Sequence, residues 1–208
     1  MTETAPSNTL RPDLRLIADM VAPGGRVLDV GCADGMLLAY LVAEKDVDGR
    51  GLEIDHQRVE LCLEKGLSVV QGDADTDLDD YPTGAFDYAI LSKTLQATHR
   101  PRGVLHSLLR IADKAIVSFP NFGHWRVRTR LAVTGRMPVT GTLRHPWHTT
   151  PNIHLCTVKD FVDLARDMDL AIERFVPVSD RGQPQVWTAL RVANLFADSA
   201  IFLVSRKT

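Results

Sequence analysis

Two glycines and two carboxylates in the first quarter of the chain have types and spacing that suit a nucleotide-like ligand. Asp29 sits in the apolar run Val27-Leu28-Asp29-Val30 and is followed by Gly31-Cys32-Ala33-Asp34-Gly35, with small residues at every second position. Glycine at 31 and 35 lets the backbone take positive φ or approach a ligand closely, and the free N–H groups of the following helix start lie nearby. Asp29 suits a cationic ligand group such as an amino-acid ammonium. Glu53 stands 22 residues after Gly31, where nucleotide-binding α/β folds put an acid whose two oxygens accept both ribose hydroxyls. The bland alternatives are a glycine-bearing turn and a surface glutamate with Asp55 capping the next helix.

Positioning these groups requires a strand, a tight loop and a helix in succession, and the apolar run, the small residues and Met36-Leu37-Leu38-Ala39-Tyr40-Leu41 supply them in that order. The pattern D-x-G-x-A-x-G brings its last glycine one residue too early for the dinucleotide fingerprint. It resembles the S-adenosylmethionine loop of class I methyltransferases, whose ligand has no pyrophosphate to cradle. That resemblance implies a role for Asp73 in Gln71-Gly72-Asp73-Ala74, as the acid that accepts from the adenine amine, with Ala74 the small residue beside it. The implied cofactor set is Asp29, Gly31, Ala33, Gly35, Glu53, Ile54, Asp73 and Ala74, for S-adenosyl-L-methionine or S-adenosyl-L-homocysteine. Ala33 departs from the usual middle glycine and brings a Cβ near the ligand's tail. After the fourth strand the chain reads Ser92-Lys93-Thr94-Leu95, which lacks the Asn/Asp-Pro-Pro-aromatic signature of amide and adenine N-methyltransferases.

The remaining chain alternates in the same way. A helix is expected over Pro12 to Val21, then strands at Gly51 to Ile54, Leu67 to Val70, Phe86 to Leu91 and Ala115 to Phe119, with helices between them. Such alternation means a parallel sheet covered on both faces. Thr157-Val158-Lys159-Asp160 has the form of a capping box, and strands near Ala171 to Val176 and Ala200 to Val204 finish the sheet, the last antiparallel. The expected fold class is thus α/β with a mostly parallel seven-stranded sheet, and the loop's resemblance implies the three-layer, Rossmann-like class I methyltransferase fold. Residues 1–9 read as a flexible tail and residues 10–208 as one domain. The acidic run Asp73, Asp75, Asp77, Asp79, Asp80 reads as solvated surface apart from Asp73.

A formal net charge of −2 excludes a globally basic nucleic-acid binder. Three cysteines without a C-x-x-C pair argue against a disulfide framework or zinc site and for a reducing cytoplasm. The start of the chain shows no secretory signal, and no run is long enough to cross a membrane.

Charge is nonetheless segregated. Residues 121–156 hold five arginines, four histidines, two of the three tryptophans and no acid, whereas residues 44–87 hold thirteen acids and four bases. This asymmetry suggests an oriented binding surface. Three readings fit: a lid over the cofactor, a platform for a partner or anionic substrate, or a basic outer face with Trp125 and Trp147 in the core. Nucleic acid is disfavoured because no recognised module is present.

Within this segment Ser118-Phe119-Pro120-Asn121-Phe122-Gly123-His124-Trp125-Arg126-Val127-Arg128, Gly135-Arg136-Met137-Pro138-Val139-Thr140 and Thr150-Pro151-Asn152-Ile153-His154-Leu155-Cys156-Thr157 resemble the methionine biosynthesis protein MetW family, as does Ser92-Lys93-Thr94-Leu95-Gln96-Ala97. The resemblance covers roughly Gly25 to Val176. It implies a bacterial cytoplasmic protein of methionine biosynthesis that acts with homoserine O-acyltransferase as a partner or regulatory subunit. The alternative is an S-adenosylmethionine-dependent methyltransferase acting on a small molecule. An activated sulfonium methyl needs mainly in-line positioning, so no catalytic dyad is legible; His99, His124 and Tyr88 are the conceivable bases.

Overall fold

The structure, a computed structural model, describes residues 10–187 and 189–207; the expected tail over residues 1–9 lies outside them. Seven strands form one sheet: β1 Arg26–Val30, β2 Asp48–Glu53, β3 Ser68–Gln71, β4 Phe86–Ser92, β5 Ala112–Pro120, β6 Leu170–Val178 and β7 Ser199–Arg206. Their order is β3-β2-β1-β4-β5-β7-β6. The first five are parallel, and β7 runs antiparallel to both β5 and β6. The helices are α1 Pro12–Ala18, α2 Met36–Lys45, α3 His56–Glu64, α4 Pro101–Ile111, α5 Trp125–Thr134, α6 Val158–Asp167 and α7 Leu190–Phe196.

The two faces of the sheet bury alternate residues of the same strands, as the two-residue period of a strand requires. Leu28 and Val30, Ala89 and Leu91, Val117 and Phe119, Phe202 and Val204 pack into one core with α4 and α6. Val27, Ile90, Ile116, Ile201 and Leu203 pack into the other with α1 and α2. The capping box at α6 is realised on both sides: Asp160 N–H donates to the Thr157 hydroxyl and Thr157 N–H to the Asp160 carboxylate.

Several boundaries differ from expectation. α1 stops at Ala18, three residues early, and β2 starts at Asp48 rather than Gly51. Asp48-Gly49 therefore lies inside a strand, and the reason is packing. A Cβ on Gly49 would fall 2.7 Å from Leu38 Cδ1 of α2, so helix and sheet touch there only because the side chain is missing. Ile54, read as part of β2, lies just beyond its end. Helices α5 and α7 were not expected from the sequence.

Candidate functional site

The carboxyl ends of β1, β2 and β3 bring Asp29, Glu53 and Asp73 to one edge of the sheet, as the sequence reading required. The loop joining β1 to α2 alternates through left-handed conformations, with φ +72° at Gly31, +53° at Ala33 and +73° at Gly35. What demands the glycines is packing within the protein. A Cβ on Gly31 would meet Thr94 Oγ1 at 2.5 Å, and one on Gly35 would meet Leu67 Cδ1 at 2.5 Å and Cys62 Sγ at 2.9 Å.

Ala33 is the non-glycine member of this series, and the left-handed region costs an L-residue about 1–2 kcal/mol. Hydrogen bonds from distant elements hold it there. Its N–H donates to Glu53 Oε2 at 2.7 Å, and its carbonyl accepts from Cys62 Sγ at 3.3 Å. The neighbouring Asp34 carbonyl accepts from Lys65 Nζ. Cys62 and Lys65 are loop supports that the sequence reading missed; the signal was their i, i+3 spacing at the end of α3, which puts both on one helix face.

Glu53 is buried, and its other oxygen accepts from Asp55 N at 3.1 Å. It is therefore neither a surface residue nor a free clamp, since it already braces the loop. Each carboxylate oxygen has two acceptor sites, so capacity for hydroxyl donors is left. Asp55 itself caps α3, its Oδ1 accepting from Gln57 N at 2.9 Å. Ile54 is 63% exposed beside these acids and offers an apolar face to a flat ring.

Asp29 is only 2% exposed, and its Oδ1 is buried with no hydrogen-bond partner among the described residues. Burial, then the nearby Glu53 charge, pushes its carboxyl up to about 7. A cationic group placed against it would restore the ionised form, so an orphaned buried oxygen, a braced acid and an exposed isoleucine together fit a ligand with an ammonium, a diol and a ring. Asp73 turns its Oδ1 to Asp75 N at 2.8 Å and donates its own N–H to Asp77 Oδ2 at 2.9 Å. Ala74 is half-buried against the core.

The acidic run is not merely solvated. Asp75 accepts from His99 N at 2.7 Å and Arg100 N at 2.8 Å, and Asp79 accepts from Ser107 Oγ at 2.9 Å. These bonds tie the β3–β4 connection to the segment after β4. Two of the conceivable bases are also corrected. Tyr88 pairs in register with Val27 and Lys114, near the ends of β1 and β5 opposite the loop. His124 is buried at the start of α5, where its Nδ1 accepts from Arg126 N at 3.2 Å and its Nε2 lies 3.7 Å from Asp198 Oδ1. Burial lowers the His124 pKa and raises that of Asp198. Its role is that of a cap. His99 is exposed beside Asp75.

The acid-free segment is anchored at both ends. Asn121 donates to Asn194 O and Ala197 O at 2.9 and 2.8 Å and accepts from Gly123 N and Val158 N at 2.9 and 3.2 Å. The Gln96 carbonyl accepts from Ile153 N at 2.8 Å and His154 N at 2.9 Å. Between these anchors Trp125 is 43% and Trp147 72% exposed, which overturns the reading that put both in the core. Arg126 stacks over the Trp125 ring at 5.5 Å, and Arg128 Nε donates to Gly123 O at 2.6 Å.

Comparison with known proteins decides the kinship. Over residues 11–204 the sequence matches the family described as methionine biosynthesis protein MetW. The chain belongs to that family. A curated relative, the bifunctional methionine biosynthesis protein MetXA/MetW of Rhodopirellula baltica, is 32% identical over 219 residues. The match covers 99% of this chain and 35% of the relative, so the chain spans about a third of that longer protein.

Solved structures share the fold at lower identity. An S-adenosylmethionine-dependent methyltransferase from Mesorhizobium loti aligns with TM-score 0.67 and 17% identity, covering 94% of this chain and 96% of that one. A TehB-like methyltransferase from Corynebacterium glutamicum aligns with TM-score 0.60 and 19% identity over 97% and 90%. The [4+2]-cyclase SpnF aligns with TM-score 0.66 and 19% identity over 94% and 80%. The fold is that of the class I S-adenosylmethionine-dependent methyltransferases, and the cyclase shows that this fold does not fix a reaction. Among the described residues no helix is long and apolar enough to cross a membrane, and no group of three or more His, Cys, Asp or Glu side chains is placed to hold a metal.

Proposed function

We propose that this protein binds S-adenosylmethionine or S-adenosylhomocysteine at the β1–α2 loop and serves methionine biosynthesis as a partner or regulatory subunit of a homoserine O-acyltransferase in the bacterial cytoplasm. In this reading Asp29 faces the ligand's ammonium end, with Gly31, Ala33 and Gly35 shaping the backbone beside it. Glu53 accepts from the ribose, while Ile54, Asp73 and Ala74 border the adenine. Bound S-adenosylmethionine would supply an activated methyl group. In the partner role the ligand is bound and sensed, and no base is required of this chain.

The observation that carries the partner role is the acid-free segment 121–156, in which Trp125 and Trp147 are exposed and five arginines lie. Interfaces are enriched in Trp and Arg and depleted of Asp and Glu, and a monomer gains nothing by leaving two indoles in water. The relative that carries both names in one polypeptide supports the same pairing. The test is co-elution of the purified protein with the acyltransferase and the acyltransferase rate with and without it. The Arg130→Glu/Arg136→Glu variant locates the face, because both side chains are exposed and Arg128 is spared for its bond to Gly123. Charge reversal at a rim slows encounter and changes the salt dependence of association. If the wild-type protein neither co-elutes with the acyltransferase nor changes its rate, the partner role is dismissed. The leading reading would then be methyl transfer to a small molecule, detected as release of S-adenosylhomocysteine.

A further inference from the structure

A cavity of about 370 Å³ opens beside Lys93, lined by side chains that the cofactor reading does not use; of its lining, Gly141, Thr142 and Arg144 come from the acid-free segment. Its charged lining is Arg11, Asp13, Lys93, Arg144, Asp180 and Arg181, four cations against two carboxylates. Asp13 is spoken for: Lys93 Nζ lies 2.6 Å from its Oδ2, and Arg11 Nε lies 3.3 Å from its Oδ1. Burial alone would raise the Asp13 carboxyl, but the hydrogen bond and charge of Lys93, with Arg11 and the Leu14 N–H, together outweigh it and hold the pKa below its ordinary value. The cavity thus keeps an excess of two positive charges.

The walls are built rather than loose. Lys93 has φ +60°, uncommon for a side chain other than glycine, and its N–H is held by Ser118 O at 2.9 Å. Backbone outliers of this kind cluster at ligand clamps. On the opposite wall the 179–183 turn reaches the start of α1 through Gly182, whose Cβ, if present, would lie 3.0 Å from Asp13 N. Asp180 N–H fixes that turn to Asp198 Oδ2 at 3.1 Å. Arg144 Nε donates to Gly141 O at 2.8 Å, which orients the guanidinium. Thr94, the residue after Lys93, packs over Gly31, so the cavity lies on the loop side of the sheet.

We propose that this cavity binds a compact dicarboxylic acid, with Arg144 and Arg181 as its charge partners. The planar guanidinium fork matches a carboxylate in two-point contact. The volume sits at the small end of ligand pockets, roughly 300–1,000 Å³. The inference concerns small-molecule binding by this chain alone and is tested without a partner protein, although Arg144 belongs to the acid-free segment.

Succinate is the probe, titrated calorimetrically into the full-length protein, with neutral succinamide and inorganic phosphate as comparators. The expected result is saturable succinate binding, no binding of succinamide, weaker binding of phosphate, and a loss of at least about tenfold in Arg144→Gln/Arg181→Gln, as charge-assisted bonds predict. The melting temperature of that variant, compared with wild type, reports its folding. Should it melt early, Arg181→Gln alone, an exposed side chain, carries the same expectation. The proposal is overturned by an absence of succinate binding at millimolar concentration, by binding indifferent to these substitutions, or by phosphate binding as tightly as succinate.

Discussion

The β1–α2 loop and the acid-free segment, the two proposed binding surfaces, are made in opposite ways. The loop is braced from behind by Glu53, Cys62 and Lys65, and Asp29 and Glu53 beside it are buried; the segment is pinned at Asn121 and Gln96 and leaves its tryptophans in solvent. Small-ligand sites depend on a pre-formed backbone, whereas a protein–protein face depends on large side chains held ready. The contrast teaches where substitutions act: in the loop they strike fold and binding together, while on the face they reach binding alone.

The largest expected effect lies at the anchor. Asn121→Ala leaves four buried backbone groups without partners, and at about 1–3 kcal/mol for each unsatisfied group the protein should lose roughly 4 kcal/mol or more. Urea denaturation measures this, and a midpoint near that of wild type would mean the face holds itself in place. Next comes Gly35→Val, where a left-handed backbone and the collision with Leu67 combine to a loss of about 3 kcal/mol. Stability and S-adenosylhomocysteine binding should fall together. A variant that melts like wild type but no longer binds would show that Gly35 serves the ligand.

Asp29 sharpens the comparison through pH. Its carboxyl holds its proton to about pH 7 when folded, against the ordinary value of 3.8, so between those values the folded state carries the extra proton. Stability therefore declines as pH rises through that window. Asp29→Asn should gain about 1–3 kcal/mol at pH 8 while losing affinity for the ligand's ammonium. In the wild type, calorimetry should find S-adenosylhomocysteine bound roughly tenfold more tightly at pH 8 than at pH 6, as ionised Asp29 becomes available. A flat profile would remove Asp29 from the site.

Smaller still, Ala33→Gly relieves the left-handed strain and should stabilise by up to about 1 kcal/mol in thermal melts. A loss of stability would mean that the methyl group is needed in packing. At the bottom of the scale, Trp147→Ala should change stability by less than about 0.5 kcal/mol, as exposed sites do. The same substitution should weaken acyltransferase association by about 2 kcal/mol, measured by titration, if Trp147 is central to the face.

What the sequence determined by itself was whatever short stretches of chain decide. Alternation of apolar residues named the strands, glycines at 31 and 35 named the tight loop, and Thr157 with Asp160 named a helix start, because each depends on residues within a few positions. The order of elements then implied the sheet. Tertiary structure decided the rest. Glu53 came to rest on Ala33 across 20 residues and Cys62 on the same residue across 29, turning an expected ligand clamp into a brace as well. Gly49 came inside a strand because α2 packs on it, and Trp125 and Trp147, for which a core position was one of three readings, ended exposed. Burial is a property of the whole arrangement: no window of sequence tells an indole that fills a core from one held out for a partner, since both are chosen for the same apolar surface.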